Sequence, residues 1–153
     1  MSSPPPVSGL EDHLGYWLRY VSNQVSHAFA QKLAGRGVTV AEWVAMRELF
    51  DGQDMLPSAL ADRLGMTRGA VSKLADRLEV KGIAVREAAV ADRRSHTLRL
   101  TAAGRRLVPQ LAALADANDA AFFGHLGRAE RNAILAAMKD IVRRKGLRKV
   151  PTT

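Results

Sequence analysis

The 153-residue sequence predicts a mainly α-helical fold with one small β-hairpin. Three observations carry this expectation. Apolar residues recur at helical spacing over most of the chain, from Leu14 to Val142. One short stretch, Ser95 to Leu100, alternates instead: His96, Leu98 and Leu100 point one way, Ser95, Thr97 and Arg99 the other. Glycine breaks at Gly35-Arg36-Gly37, Gly65, Gly82 and Gly124-His125-Leu126-Gly127 divide the helical pattern into separate pieces.

Residues 1–8, rich in proline and serine, are expected to form a flexible tail. Ser8 and Glu11 have capping-box spacing and predict the start of a long helix to about Ala34. Its Leu14, Leu18, Val21, Val25 and Ala28 repeat in alternating fours and threes, a helix-packing seam. Thr39 and Glu42 form a second capping box, opening a helix to about Phe50. Asp51-Gly52-Gln53-Asp54 reads as a turn. A short helix from Ser58 to Leu64 follows, with Leu60, Ala61 and Leu64 on one face and Leu56, a poor capper, before it. Gly65-Met66-Thr67 supplies a helix stop and the next N-cap.

Arg68 to Lys81 is a clean amphipathic helix: Val71, Leu74, Ala75 and Leu78 form the apolar stripe. Gly82 ends it. A weak strand from Ile83 to Ala89, a polar tip at Ala91-Asp92-Arg93-Arg94 and the strand Ser95–Leu100 complete a hairpin. Thr101 caps a helix to about Phe123, with Leu107, Leu111, Leu114, Asn118 and Phe122 along one side. A last helix runs from about Arg128 to Arg144 and carries Ile134, Leu135, Met138, Ile141 and Val142. Residues 146–153 are a basic tail. Helix, turn, helix and hairpin in this order form a winged helix-turn-helix, with a reading module at about residues 39–100 within a domain spanning 9–145. The flanking helices, about 9–34 and 101–145, carry seams too apolar for water, and pairing them across a two-fold axis makes them a dimerisation platform.

Charge points to the partner. Between Arg63 and Arg99 the chain carries nine basic residues and four acids, a large part of its net +8. A basic excess concentrated on one module is the electrostatic footprint of nucleic-acid binding. The polar face of the second helix carries Arg68, Gly69, Ser72, Lys73, Asp76 and Arg77; its three cations and the Ser72 hydroxyl suit phosphates and guanine edges. Gly69 keeps the helix start slim. At the hairpin tip, Arg94 can enter a narrow minor groove, with Asp92 placed to hold its guanidinium.

Other function classes lose ground. With no cysteine, thiol catalysis, disulfides and cysteine-based zinc sites are excluded. There is no phosphate-binding glycine loop or nucleophile elbow, so an enzyme is not expected, nor a cofactor. His13, His27, His96 and His125 stand singly, and no metal site is expected. The reading surface lacks the aromatics of single-strand RNA readers. No apolar run reaches about 18 residues, and the first residues lack the pattern of a secretory signal, so the expectation is a cytoplasmic protein with no membrane partner.

Several segments resemble the MarR family of transcriptional regulators: Leu14-Gly15-Tyr16, Thr39-Val40-Ala41-Glu42-Trp43, Leu60-Ala61-Asp62-Arg63-Leu64-Gly65-Met66-Thr67, Val71-Ser72-Lys73-Leu74-Ala75-Asp76-Arg77-Leu78-Glu79, Asp92-Arg93-Arg94-Ser95 and Leu100-Thr101-Ala102-Ala103-Gly104. The resemblance covers roughly Leu10 to Arg144. It implies a homodimer that, as most of the family do, represses transcription at palindromic operators and, as many do, releases double-stranded DNA when a small aromatic or anionic ligand binds; the alternative is an effector-independent regulator, an activator or an architectural DNA-binding protein. By position it places Thr67, Arg68, Gly69, Ser72, Lys73 and Arg77 on the recognition helix. Asp92 and Arg94 match the wing pair, with Arg93 beside them at phosphate. It also implies a ligand pocket between platform and reading module, matched here by Trp17, Tyr20, Trp43 and Met46, with His13 as polar partner.

Overall fold

The computed structural model describes residues 1–52, 54–88 and 95–148. A 3-10 turn, Leu10–Asp12, precedes α1 (Leu14–Ala34), α2 (Val40–Asp51), α3 (Pro57–Leu64), α4 (Arg68–Val80), β1 (Ala84–Ala88), β2 (His96–Leu100), α5 (Ala102–Phe123) and α6 (Arg128–Lys145). The fold is the mainly helical one with a hairpin. Residues 1–8 are exposed and carry no helix or strand. The hairpin tip, with Asp92, Arg93 and Arg94, lies outside the described residues.

The expected Ser8–Glu11 capping box does not form; one residue on, at Gly9, which has no side chain to cap with, only the reciprocal half of such a box is made. The Gly9 N–H donates to the Asp12 carboxylate at 2.7 Å, closing the 3-10 turn. His13 is extended, and α1 begins only at Leu14. The Trp17 indole N–H donates to the Glu11 carbonyl at 2.9 Å and ties the turn to the helix.

The second capping box forms as read. The Glu42 N–H donates to the Thr39 hydroxyl, and the Thr39 N–H donates to the Glu42 carboxylate, each at 3.1 Å. At α3, Leu56 offers no side-chain cap, and Pro57 takes the first helical position, where a missing N–H costs nothing. Gly65 ends α3 at φ +66°, a left-handed conformation that glycine adopts without strain. Thr67 then caps α4, its hydroxyl accepting from the Ala70 N–H at 3.1 Å.

β1 and β2 pair antiparallel from Ala84↔Leu100 to Ala88↔His96. Met55 adds a one-residue bridge to Leu98, with backbone bonds of 3.0 and 2.8 Å. The sequence pattern around Met55 carries no strand signal.

One core joins the reading module to the neighbouring parts of the flanking helices. Met46, Leu49, Leu60, Leu74, Leu78 and Leu98 are fully buried within it, and Leu33 of α1 and Leu111 of α5 reach in. Away from that junction the flanking helices are open. α6 buries no residue, and α1 buries only Leu33. Between α1 and α5, buried Asn118 donates to the Val25 carbonyl at 3.1 Å and accepts from the Lys32 ammonium at 2.9 Å. A polar residue in the expected apolar seam thus fixes how these two helices align. No helix among the described residues is long and apolar enough to cross a membrane.

Candidate nucleic-acid interface

The recognition-helix candidates share one exposed face. Val71, Leu74, Ala75 and Leu78 are buried beneath α4, while Thr67, Arg68, Gly69, Ser72, Lys73 and Arg77 are exposed above it. Burial of the stripe fixes the roll of the helix, so the polar side has only one direction to point. A side chain built on Gly69 would meet nothing within 4 Å, so nothing inside the protein requires glycine there.

The basic excess is not all available for a partner. Arg63 pairs with Glu48 at 3.4 Å, Lys81 with Glu42 at 2.7 Å and Arg86 with Asp76 at 2.7 Å, while Arg99 pairs across the hairpin with Glu87. Arg68, Lys73 and Arg77 make no ion pair among the described residues. The cations left unneutralised on the described part of the module are therefore the three on the outer face of α4. This sorting was not readable from the charge count. Arg86 and Asp76 both entered that count, yet they spend their charge on each other.

A groove beside α4 is lined by Thr39, Val40, Ala41, Met66, Lys73 and Arg77. It sets the first turn of α2 next to two of these free cations. The Thr39–Glu42 capping box was the signal for that helix start, but its position beside α4 is a tertiary fact.

Glu42 is fully buried, and Lys81 holds it with its ammonium 2.8 Å from one carboxylate oxygen and 2.7 Å from the other. The same ammonium donates to the Gly37 carbonyl at 2.7 Å. Burial pushes the Glu42 carboxyl pKa up. The hydrogen bonds from Lys81 and Thr39 outweigh burial, and the net shift is downward. The C-terminal end of α4 is thereby anchored to the start of α2. For Arg86, the hydrogen bond to Asp76 comes first and Glu79 adds to it, holding the guanidinium pKa above its ordinary value.

The five pocket candidates do not form one cavity within a chain. Trp17 and Tyr20 are exposed on α1, with ring centroids 6.4 Å apart and Tyr16 beside them. Trp17 lines an apolar groove with Leu14, Leu18, Val21, Phe123 and Met138. His13 is exposed at the start of the helix, its ring 3.4 Å from the Ser8 hydroxyl. Trp43 stacks edge-on against Phe29 at 6.4 Å, and Met46 is fully buried in the core. At 1.5 Å per residue, Phe29 lies about 18 Å along α1 from Trp17. Helical periodicity identified these residues as inward or aromatic but gave no measure of that separation.

Comparison with known proteins agrees with this architecture. The MarR family model matches residues 36–95. An HTH-type transcriptional repressor of Mycobacterium tuberculosis is 32% identical over 120 residues, covering 77% of this chain and 86% of the relative. A putative transcriptional regulatory protein for the hcr operon of Thauera aromatica is 27% identical over 131 residues, covering 85% and 79%. The solved structure of the transcriptional repressor CouR bound to a 23-mer DNA duplex is 28% identical, with a TM-score of 0.79 over 92% of this chain and 99% of that one. With the helix-turn-helix, the hairpin and the free cationic face of α4 in place, the chain belongs to the MarR family of transcriptional regulators.

Proposed function

We propose that this regulator is a homodimeric repressor that reads a palindromic operator with α4 and is released by a small aromatic or anionic ligand. The observation that carries the reading is the outer face of α4, where Arg68, Lys73 and Arg77 make no ion pair among the described residues while neighbouring cations are neutralised internally. Unpaired cations on a helix of fixed roll neutralise phosphates and release counterions. Arg68 and Lys73 are the residues assigned to guanine edges, with Thr67, Gly69, Ser72 and Arg77 lining the same approach. Arg94, oriented by Asp92, would act at the minor groove, with Arg93 beside it at phosphate.

Uncovered apolar surface supports the homodimer. Leu14 is 78% exposed, Val21 41%, Ile134 45% and Ile141 47%. These residues lie on α1 and α6, and a second copy laid against both would remove them from water. Two α4 helices would then stand one turn of duplex apart, about 34–36 Å.

The effector is proposed to act where the platform meets the reading module. It shifts DNA affinity only by as much as it prefers the non-binding state. His13, Trp17 and Tyr20 on one side and Trp43 and Met46 on the other remain its candidate contacts. A thermal-shift screen with aromatic acids on wild type, Trp17→Phe and Trp43→Phe separates the two groups. Stabilisation lost in only one variant locates the site; no stabilisation of wild type by any acid removes the effector from the proposal.

DNA reading is tested by selecting duplexes from a random pool and measuring binding of Lys73→Ala and Arg68→Ala to a series of base-substituted sites. The proposal expects each variant to relax preference at particular base pairs. A uniform loss across all sites would make both residues phosphate contacts.

A further inference from the structure

We propose that Arg86 is a positioning residue for DNA reading: it locks the first strand of the hairpin to the recognition helix, so that wing and helix meet the duplex at one fixed angle. This rests on the reading of α4 as the DNA-reading helix.

Arg86 lies on β1, two residues before the end of the strand that leads into residues 89–94. Its guanidinium reaches along α4. One nitrogen donates to the Asp76 carboxylate at 2.7 Å and to the Glu79 carboxylate at 3.3 Å. The other donates to the Ser72 backbone carbonyl at 3.0 Å. The Arg86 backbone N–H adds a bond to Glu79 at 3.2 Å. Ser72, Asp76 and Glu79 follow helical spacing, so one side chain grips about two turns of α4 along a single edge. Its side chain is 26% exposed, and the planar donor fork suits several acceptors at once.

The grip acts where orientation matters. Ser72 offers its carbonyl to Arg86 and its side chain to the outer face, so clamp and reading surface share a residue. The other strand, β2, is held from its far side by Met55 through Leu98, and Arg86 itself stands opposite Leu98 in the register. Both strands are thus tied to the body at the same level. Asp76 is exposed on the polar face of α4, where a lone carboxylate would repel phosphate. Its pairing with Arg86 gives that charge an internal use.

The test uses the full-length protein and a duplex selected from a random pool by wild type. Affinity for that duplex and for a scrambled one is measured by fluorescence anisotropy over a range of salt, for wild type, Arg86→Gln and Asp76→Asn. The proposal expects both variants to lose about tenfold or more on the selected duplex, within the range of a lost base-pair match. Binding to the scrambled duplex should stay within about twofold, with an unchanged salt slope, because no phosphate contact is removed. Asp76→Asn is decisive and remains so even if Arg86→Gln folds poorly. If Asp76 only repels DNA, its neutralisation tightens binding to both duplexes, which would overturn the proposal. Equal loss by Arg86→Gln on both duplexes, with the salt slope reduced by about one, would make Arg86 a phosphate contact instead. Unchanged discrimination in both variants would also refute it. If wild type enriches no sequence at all, the assignment of α4 fails first and this proposal falls with it.

Discussion

At the scale of single residues, the reading surface and its support answer to different forces, and substitutions separate them. Gly69 sits in the first turn of α4 with open space around the position of a side chain. Gly69→Ala should therefore leave the fold intact or stabilise it by up to about 1 kcal/mol, because alanine loses less backbone entropy in a helix. If α4 approaches a groove floor, the same change weakens duplex binding. A higher melting temperature together with lower affinity is the expected pair of results. Unchanged affinity would show that DNA does not come close at this point.

Glu42 behaves in the opposite way, since its role is internal. Its folded-state pKa lies below the ordinary value of 4.5, so its contribution to stability is present above that value and is lost as pH falls through the folded-state pKa. Wild type should lose melting temperature on acidification below about pH 4.5. Glu42→Gln should cost about 2 kcal/mol at neutral pH, since it leaves Lys81 facing an uncharged amide, with solvent access softening the loss. Its remaining acid sensitivity should be shallower than that of wild type. Parallel acid profiles for the two proteins would remove the clamp from the account.

At the scale of elements, the start of α5 comes very close to the turn after α4. The Thr101 hydroxyl donates to the Gly82 carbonyl at 2.7 Å, and the Thr101 N–H donates to the Ile83 carbonyl at 2.9 Å. A side chain on Gly104 would sit 2.2 Å from the Ile83 carbonyl oxygen, against backbone that has little room to yield. Gly104→Ala should thus force α5 away from the hairpin and lower stability by about 2 kcal/mol or more. Chemical denaturation measures this directly, and a variant as stable as wild type would contradict the packing. The Leu100-Thr101-Ala102-Ala103-Gly104 run thereby gains a physical meaning: a cap, a docking hydroxyl and a gap for backbone.

The elements themselves were largely legible in the sequence. Periodicity and caps placed α2, α4, α5 and α6 to within about two residues, the ordinary uncertainty of helix ends. Local rules gave way where tertiary packing took over. Pro109 lies inside α5, where it removes a helical hydrogen bond, yet buried Val108 and Leu111 beside it hold the helix. Met55 joins a strand only because Leu98 offers it a free edge. The interface was less legible than the fold. Helical spacing identified the outer face of α4, but ion pairs such as Arg86–Asp76 link different elements and leave no periodic trace. The aromatic candidates failed to meet within one chain for a similar reason: residue type and phase along a helix do not encode distance from a neighbouring element.

At the scale of the whole molecule, the two ends of α1 and of α5 have different surroundings. Near Leu33 and Leu111 they enter the core of the reading module, while α6 and the first half of α1 remain uncovered. That division is what a platform shared between two copies needs: one end joined to the reader, the other open to its twin. The central claim is that two such copies present two α4 helices at the pitch of the duplex. Hydroxyl-radical footprinting of a duplex selected by wild type tests it most directly. The account predicts two protected patches related by a dyad, with centres about 10 base pairs apart or a multiple of that; a single protected patch without two-fold symmetry would contradict it.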